Sequence, residues 1–448
     1  MATSPQALRH PGQPTIEIRQ IRTPGATDLQ IEWNRRSGEA QAREEEIVRR
    51  MISLRLLETD RGADELEIVL DNEDLSMLEN PFIVPNATFQ LRLGSTSSLG
   101  AGVVRSFTVI EWRGLRPLTI RCMSAYEWSL NRDKAPRTYN SSRISDIVKA
   151  IGYRNGLSVA NSVQETNAAH TKKTQTNQTD AQFLKQLAEE IGFVWYIEEG
   201  YFGFPQLFFH ERRFKPSNTS DQVATITIGD DPRVLDDPIF DMNLGKIANR
   251  VTTGVYSLLE KKYFNLVADV DNTARAVIGR STPIDENSTI SMSTTSSTLL
   301  QGTDEVIGAF KEIEREMISA KLIMRGDPLF RPKRLVFLQG LGKLLTGAYY
   351  VDSIEYQLGV NLPFTMELRL MRNAFGFTAS EFGNAVFALR AIQKQFQQSV
   401  KAAKDDAEQR AEMAENAEAA ALEAKARAET RIIGSGDGTW DVFTAEVR

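Results

Sequence analysis

The sequence predicts an α+β fold that is mainly β, with a long C-terminal α-helix. Three observations point to this class. Apolar and polar residues alternate over most of the stretch from Ile16 to Tyr126, as they do in strands. The stretch from Asn140 to Phe204 changes to helical spacing, followed by short aromatic runs. After Phe377 the chain is rich in Ala, Glu, Gln, Lys and Arg, which are strong helix formers.

The first region, residues 1–135, is predicted to be a compact β domain. Apolar residues recur two positions apart, which places them on one face of a sheet. They are Ile16/Ile18, Leu54/Leu56, Leu66/Ile68/Leu70, Phe89/Leu91/Leu93, Phe107/Val109 and Leu118/Ile120. Many short strands separated by Gly, Pro and Asp turns indicate a barrel or a sandwich. The charged run from Arg35 to Arg50 predicts a loop or a short exposed helix, either a solvated insertion or a contact arm toward a neighbouring subunit.

The second region, residues 136–215, is predicted to be an α/β unit. A first helix ends at Gly152 and carries its apolar residues at helical spacing: Ile144, Ile147, Val148 and Ile151. A second helix starts at Thr179, which can form a capping box with Gln182, and ends at Gly192, a suitable left-handed cap. Its apolar face comprises Phe183, Leu184, Leu187, Ala188 and Ile191.

A short aromatic hairpin is predicted directly after this helix. Phe193–Ile197 reads as a strand, Glu198–Gly200 as a turn and Tyr201–Phe204 as the return strand. Its aromatic residues could stack on nucleotide bases, but no Lys or Arg is interleaved with them. They are Phe193, Trp195, Tyr196, Tyr201, Phe202 and Phe204. We therefore interpret them as core or interface residues.

The third region, residues 216–377, is predicted to return to strands. Its predicted elements are strands at Thr225–Ile228 and Arg250–Tyr256, a Ser/Thr-rich loop at Ser281–Thr298, a helix at Glu305–Met324 and strands from Leu335 to Leu370.

The last region is predicted to be one long helix at 378–433, followed by a tail at 434–448. Small side chains recur along one stripe roughly every 3.6 residues, which indicates a nearly straight helix. An alanine stripe buries little area alone, so the helix is expected to pack on its own domain or, preferably, on another copy or a partner. The predicted partner interface comprises Leu389, Ile392, Phe396 and Val400 on the helix and Trp440 and Phe443 in the tail.

Composition limits the classes of function. The 448 residues are 41% hydrophobic and 25% charged, ordinary values for a soluble globular protein. The net charge of −6 argues against broad contact with duplex nucleic acid, and no sequence-specific nucleic-acid binding is predicted. No apolar run approaches the ~20 residues that span a bilayer, and Met1–Pro14 shows no signal peptide. The single cysteine, Cys122, lies in an alternating strand and is predicted to be a buried structural thiol, as suits a reducing cytoplasm.

No catalytic, metal or cofactor site is predicted. The three histidines, His10, His170 and His210, have no partner at the spacing of a zinc site. Asp230–Asp231 and Asp236–Asp237 flank prolines and read as acidic turns, because the calcium-loop pattern is absent. The sequence contains no phosphate-binding loop, nucleophile elbow or dinucleotide fingerprint.

Several motifs carry a resemblance to a known family. The sequence from Thr179 to Tyr196 matches the pattern T-D-x-x-F-L-x-x-L-A-E-E-x-G-F-x-x-Y. Three further motifs follow it in order along the chain: Gly326–Pro328, Gly340–Gly342 and Gly347–Val351. This set resembles the phage late control D proteins, which are tail baseplate hubs, and the hub portion of the valine-glycine-repeat spike proteins of type VI secretion. The chain departs from the family pattern at two places: Arg331–Lys333, where Pro-Gly is usual, and Glu355–Tyr356, where many members have a histidine.

The resemblance implies both an architecture and a role. It implies two β-barrel hub domains, residues 1–135 and 216–377, separated by the α/β insertion. It also implies a homotrimeric ring that matches a six-fold tail tube to a three-fold spike. The implied partners are the tail tube protein, the spike protein and other baseplate or tail-tip proteins. The implied location is the tail baseplate or tip of the virion, after synthesis in the cytoplasm of a bacterial host.

Two alternatives to a purely structural hub are considered. One is a hub that also degrades peptidoglycan, although no segment outside the hub regions is large and globular enough for a lytic domain. The other is a tail-tip receptor-binding adhesin, which should carry aromatic-rich loops on a distal domain. We expect a non-enzymatic protein without cofactors.

Overall fold

The computed structural model consists mainly of antiparallel strands arranged in one large sheet. It describes residues 15–22, 38–60, 62–94, 102–166, 169–199, 205–212, 222–242, 250–257, 260–269, 289–294, 296, 298–315, 317–328, 330–360 and 362–376. The chain divides into two compact units, Met1–Ala391 and Ile392–Arg448, and every described residue lies in the first. The predicted helix 378–433 and the tail 434–448 lie outside the described residues. Within the described ranges, no helix is long and apolar enough to cross a membrane.

Six strands from the N-terminal region form one half of the large sheet. They are β1 (Thr15–Arg22), β2 (Met51–Thr59), β3 (Glu65–Leu70), β4 (Thr88–Gly94), β5 (Gly102–Arg113) and β6 (Leu118–Ser124). Their order is β1-β4-β5-β6-β3-β2, and each neighbouring pair is antiparallel. The predicted alternation is confirmed, because Leu66, Ile68 and Leu70 are all buried while Glu65 is exposed.

The charged run before β2 forms a helix, α1 (Glu39–Arg49). This helix is less exposed than predicted, since Ala40 and Ile47 are buried in the core. Glu44 accepts a hydrogen bond from the backbone N–H of Gln20 in β1 at 2.8 Å. The helix therefore packs against the terminal strand of the sheet.

The α/β insertion has a hydrophobic core of its own. Its elements, with the short helix before it, are α2 (Ala125–Leu130), β7 (Arg137–Arg143), α3 (Ile144–Arg154), β8 (Ala169–Gln175), α4 (Asp180–Ile191), β9 (Phe193–Glu199) and β10 (Pro205–Glu211). Strands β7 and β8 pair in one hairpin, and β9 and β10 pair in another. The predicted helical faces are confirmed, because α3 and α4 bury them in one cluster with β9 and β10.

Both ends of α4 are formed as the sequence predicts. The backbone N–H of Gln182 donates to the Thr179 hydroxyl at 3.2 Å. The backbone N–H of Thr179 donates in return to the side-chain oxygen of Gln182 at 3.0 Å. Gly192 ends the helix at φ 68°, a conformation that a residue without a Cβ adopts readily.

The aromatic hairpin differs from the prediction. Glu198 and Glu199 continue strand β9 and form no turn, and the described return strand starts at Pro205. The predicted return strand, Tyr201–Phe204, lies outside the described residues. The two glutamates occupy a strand because they meet positive charges and backbone donors from other elements, as described below.

The C-terminal region supplies the other half of the large sheet and a smaller sheet. The large sheet gains β11 (Gln222–Thr227), β12 (Ile239–Met242), β16 (Ile318–Arg325), β17 (Leu335–Gln339), β18 (Gly347–Gly359) and β19 (Leu362–Arg372). The smaller sheet has the order β14-β13-β15 and comprises β13 (Arg250–Ser257), β14 (Lys262–Asp269) and β15 (Thr289–Ser291). Two helices complete this region, α5 (Leu299–Arg315) and α6 (Gly342–Leu345). The predicted α+β, mainly β class is confirmed.

The predicted helix Glu305–Met324 is wrong in its second half. Helix α5 ends at Arg315, and residues from Ile318 onward form strand β16. Four apolar residues of β16 are buried at period two: Ile318, Ala320, Leu322 and Met324. This segment forms a strand because β12 and β19 pair with it on its two sides, and its alternating apolar residues fit the buried face of the sheet. Part of the predicted Ser/Thr-rich loop also forms β15.

Twelve strands from the two predicted barrel regions form one continuous sheet, and only β13, β14 and β15 among the described strands of these regions lie outside it. Strand β18 is long enough to change partners along one side: Gly347–Tyr350 pair with β17, and Ser353–Gly359 pair with β2. The backbone groups of β2 and β18 thereby satisfy each other instead of facing solvent. A single hydrophobic cluster contains residues from both halves. Closed barrels are not seen in the part of the chain that the structure describes.

Helix α5 joins the insertion to the smaller sheet through two glycines. A Cβ on Gly308 would lie 2.6 Å from the carbonyl carbon of Ile191 and 2.7 Å from the backbone nitrogen of Gly192, at the end of α4. A Cβ on Gly302 would lie 2.4 Å from a methyl group of Val255 in β13. The helix therefore approaches two neighbouring elements at distances that only glycine allows.

Candidate functional site

Two of the titratable residues that the sequence analysis considered, His210 and Cys122, lie in structural settings. The Nδ1–H of His210 donates to its neighbouring carbonyl, that of Glu211, at 2.7 Å, so its Nε2 accepts from the Tyr196 hydroxyl at 3.0 Å. Cys122 is buried, and burial raises the pKa of its thiol well above the ordinary value. No group of three or more His, Cys, Asp or Glu side chains among the described residues is arranged to hold a metal ion. The predicted interface residues Leu389, Ile392, Phe396, Val400, Trp440 and Phe443 lie outside the described residues and stay predictions.

The most unusual feature is a set of buried and partly buried ionisable side chains where the insertion meets both halves of the sheet. We call it the junction cluster. Its members are Glu58, Asp60, Asp64, Arg105, Glu127, Arg212 and Arg331. Ionised groups are rarely buried unless they are paired, since removal from water costs several kcal/mol per ion. The cluster therefore marks a place where charge positions elements relative to one another.

Arg105 of β5 is at the centre of the cluster. Its Nε lies 3.1 Å from Oε1 of Glu58 at the end of β2 and 3.6 Å from Oδ2 of Asp64 before β3. Glu58 is fully buried and also meets Nη1 of Arg331, in the segment before β17, at 3.7 Å. Two arginines from opposite halves of the sheet thus share one buried glutamate.

Asp60 is a second centre, and it joins three regions. Nε of Arg212, which follows β10, lies 2.9 Å from Oδ2 of Asp60. The hydroxyl of Tyr350 in β18 donates to the same oxygen at 3.1 Å. Arg212 also forms an ion pair with Glu312 of α5. The insertion is therefore connected to both halves of the sheet and to helix α5 through one arginine.

The end of β9 adds a further link between the insertion and β5. The backbone N–H of Ser106 donates to Oε1 of Glu199 at 2.6 Å, and its hydroxyl donates to Oε2 at 3.0 Å. Lys333 lies over the ring of Tyr196 in β9, with its Nζ 4.1 Å from the ring centroid. Bonds to ionised groups are stronger than neutral ones, which explains why Glu198 and Glu199 remain in a strand.

The pKa values of the carboxyl groups in and beside the junction cluster shift in different directions. Burial, together with the neighbouring Asp64 charge, raises the pKa of Glu127 to about 8. Burial also raises the pKa of Asp64. Burial would raise the pKa of Glu198 too, but the charges of Lys333 and Arg105 outweigh it and lower that pKa. The pair Asp64 and Glu127 therefore retains a proton more readily than ordinary carboxyls do.

The outer face of the large sheet carries a row of charged side chains that crosses the joint between its halves, with Glu355 and Glu367 as neighbours of like charge. From β6 to β16 its members are Arg121, Glu67, Arg55, Glu355, Glu367 and Lys321. Arg55 and Glu355 form two bonds of 2.7 Å across the β2–β18 pair. Lys321 lies 2.8 Å from Glu367. Single exposed ion pairs stabilise little, about 0–1 kcal/mol each, so these contacts support the pairing of β2 with β18 and of β16 with β19 only modestly.

Sequence reasoning missed the junction cluster although a signal for it was present. Both acids continue the period-two pattern of Leu54 and Leu56, with Glu58 on the apolar face of β2 and Asp60 directly after the strand ends. An acid on a buried face needs a partner, and the chain offers one at Arg331. Arg331–Lys333 is one of the two places where the sequence departs from the family pattern, and Glu355 lies in the other. Both departures thus carry charges that join the two halves of the sheet.

Comparison with known proteins gives one sequence match and several fold matches. No known family model matches the chain. A protein named "Probable baseplate hub protein" in Escherichia phage 186 is 34% identical over 159 residues. The match covers 34% of this chain and 39% of that protein, so the chain spans well under two thirds of this relative.

The fold matches cover most of the chain. A tail protein from Neisseria meningitidis MC58 superimposes with a TM-score of 0.51 and 13% identity over 80% of this chain and 96% of that one. The 43 kDa tail protein of prophage MuSo2 from Shewanella oneidensis superimposes with a TM-score of 0.50 and 12% identity, over 72% of this chain and 94% of that one. At such identities these matches show a shared fold alone. The sequence match and the tail-protein fold together confirm the resemblance of this chain to the phage late control D and baseplate hub family.

Proposed function

We propose that this chain is a structural baseplate hub of a phage tail or of a phage-like contractile injection machine. The observation that carries this proposal is the 34% identity to the hub protein of Escherichia phage 186. Three copies would form a ring that adapts a six-fold tail tube to a three-fold spike, in the virion at the tail baseplate or tip. The two halves of the large sheet, in the regions 1–135 and 216–377, would supply the similar units of this ring, with the insertion at 136–215 between these regions.

The junction cluster supports a mechanical role. A hub must keep its parts in fixed positions while the tail tube and the spike load it from opposite sides. Here β2, β5, β10, β18 and α5 are connected by buried ion pairs and hydrogen bonds, in addition to the shared strands β2 and β18. Breaking a buried pair costs about 3–5 kcal/mol, so these links resist relative movement of the insertion and the sheet.

The oligomeric state tests the ring. The chain has a mass of 50.2 kDa, so a trimer is expected at about three times that value in mass photometry. Particles of monomer mass at every concentration, both alone and after addition of tail tube protein, would contradict the hub proposal. A zymogram on cell-wall material tests the non-enzymatic part of the proposal, because a clear lytic band would show that the hub also degrades peptidoglycan.

We also propose that the predicted helix and tail dock a partner, through Leu389, Ile392, Phe396, Val400, Trp440 and Phe443. The spike, a neighbouring hub chain and an inner tail component are the candidate partners. Aromatic anchors such as Trp440 dominate many interfaces. Truncation after Phe387 would remove all six residues. If the truncated hub still trimerises and assembles complete tails with the spike attached, this docking proposal is wrong.

A further inference from the structure

The two halves of the large sheet repeat one strand topology. The first half contains the spatial order β4-β5-β6-β3-β2, and the second contains β17-β18-β19-β16-β12. If the strands of each set are numbered along the chain, both orders read third, fourth, fifth, second and first. Every neighbouring pair is antiparallel in both sets. The two sets are therefore versions of one five-strand unit.

The repeat extends to single residues. The carbonyl of Val109 in β5 accepts a hydrogen bond from the N–H of Asn86 at 2.8 Å. The carbonyl of Val351 in β18 accepts one from the N–H of Lys333, also at 2.8 Å. Both donors adopt the left-handed backbone conformation, at φ 68° and 67°, and a register shift directly follows each valine. Val109 and Val351 are therefore equivalent positions.

Two equivalent rows of directly paired residues start from these valines. They are Val109/Cys122/Leu66/Leu56 in the first unit and Val351/Leu370/Ala320/Phe240 in the second. Strand β12 thus corresponds to β2, and β5 corresponds to β18.

One further pairing of this unit occurs within the chain. Beyond Val351, β18 has left β17, and its other stretch pairs with β2 over Ser353–Gly359. The equivalent stretch of β5, Glu111–Arg113, has left β4, and no described strand pairs with that side. At the end of the sheet, β12 pairs with β16 alone among the strands that the structure describes. One side of β5 and one side of β12 therefore remain open where their counterparts pair with each other.

The two open sides carry complementary residues. Counted from the equivalent positions, the register of the β2–β18 pair places Arg113 opposite Asp241, and both side chains are exposed. Arg113 meets Glu111 at 2.8 Å, whereas no cation among the described residues pairs with Asp241. Leu115, two residues beyond the arginine, is 57% exposed, and Ile239, two residues before the aspartate, is 66% exposed. Contact between these sides joins opposite charges and covers two apolar side chains.

We propose that β12 of one copy of this chain pairs antiparallel with Glu111–Arg113 of β5 in a second copy, in the register that β2 and β18 have within one chain. Six other strands separate β5 from β12 in the sheet order, so a second copy supplies the partner. The contact is heterologous, and contacts of this kind generate a ring when the rotation between copies closes. The inference rests on the ring of copies proposed above and names the strands that join neighbours.

Cysteine cross-linking tests the register. Directly opposite residues of an antiparallel pair have Cβ atoms roughly 4.5–5.5 Å apart, within reach of a disulfide after a small adjustment. The natural cysteine, Cys122, is buried. On mild oxidation, the double variant Arg113→Cys/Asp241→Cys should form disulfides between copies, seen as covalent dimers and trimers on a non-reducing gel. A mixture of the two single variants should give covalent dimers and nothing larger, because each chain then has one reactive thiol.

Matched variants exclude other contacts. Each single variant alone should give no cross-link, since a disulfide between identical positions would mean a two-fold contact and would overturn the proposal. The control is Arg113→Cys/Tyr153→Cys, because Tyr153 is 69% exposed on α3 of the insertion. An equal yield of cross-linked chains in this control would mean random collision and would overturn the proposal. A disulfide within one chain of Arg113→Cys/Asp241→Cys would overturn it as well.

A charge exchange gives a second readout. The protein concentration at which half of the chains are associated should rise at least about threefold in Arg113→Glu and in Asp241→Arg, because each places like charges opposite one another. The combined variant restores opposite charges and should recover most of the loss. Losses that simply add in the combined variant would overturn the strand pairing.

The same measurements separate this inference from the hub proposal. Oxidation and mass photometry are carried out on the chain alone and after addition of tail tube protein. Trimers in which Arg113→Cys/Asp241→Cys does not cross-link between copies would overturn the strand pairing and leave the hub proposal intact. Monomers under both conditions would overturn both.

Discussion

The close approach of α5 to α4 gives a sharp test of how the insertion is held. Replacing Gly308 by Ala adds one methyl group, and its carbon would lie 2.6 Å from the carbonyl carbon of Ile191. Ordinary contacts between such atoms are about 3.5–4.0 Å, so the two helices must separate by roughly 1 Å. The atoms in the way are backbone atoms at the end of α4, which cannot rotate aside as a side chain would.

Two opposing effects set the size of the change. Overpacking a close contact typically costs about 1–3 kcal/mol. Alanine is a better helix former than glycine by about 1 kcal/mol, which opposes that cost. Because the approach of 2.6 Å is to backbone atoms, the upper part of that range, about 2–3 kcal/mol, applies, and the net expectation for Gly308→Ala is a loss of about 1–2 kcal/mol in the free energy of unfolding. An uncrowded helix would instead be stabilised by the same substitution, so the sign of the effect is decisive.

Urea unfolding monitored by tryptophan fluorescence measures this loss, because Trp195 lies in the insertion core. The control is Gly254→Ala in β13, where the nearest atom to the added methyl is 4.0 Å away, at the Tyr263 ring. That variant should unfold at nearly the natural urea concentration. If Gly308→Ala is as stable as the natural protein, or more stable, then α4 and α5 do not pack as closely as described.

Three further predictions concern buried side chains. The pKa of Glu127 is about 8 in the folded chain against an ordinary 4.5, so stability contributed by this carboxyl falls as the pH rises through that range. The stability of Glu127→Gln relative to the natural protein should therefore be greater at about pH 9 than at about pH 5. This stability difference should grow by up to ~1.4 kcal/mol for each pH unit across the range. Urea midpoints measure it, and an equal difference at both pH values would contradict the prediction. Arg105→Met should cost about 3–5 kcal/mol because it removes the nearest cation from two buried acids, leaving Glu58 with only the more distant Arg331. Adding Glu58→Gln should recover part of the loss in thermal unfolding, and an additive double variant would show that Arg105 and Glu58 are not coupled. Leu187→Ala should cost about 2–5 kcal/mol, since the side chain is fully buried, and a stable variant that loses one specific activity would point to a functional role instead.

Local patterns made many strands of the first region and the two longer helices of the insertion predictable, but not its β7–β8 hairpin. Alternation at Leu66, Ile68 and Leu70 determines a strand by itself, because only one face of a sheet is buried. The capping box of Thr179 and the left-handed Gly192 act within a few residues, so their effect needs no tertiary contact. The sequence also determined the family resemblance, since the motifs that carry it are contiguous stretches of chain.

Contacts between distant residues decided the rest. The segment from Ile318 reads as the continuation of a helix, but β12 and β19 offer it backbone partners on both sides, and it becomes a strand. Glu198 and Glu199 read as a turn, but positive charges and the N–H of Ser106 hold them in β9. The pairing of β2 with β18, separated by about three hundred residues, unites the two halves of the sheet. Such choices depend on which edge or charge a segment meets after folding, and hydrophobic periodicity contains no information about that partner.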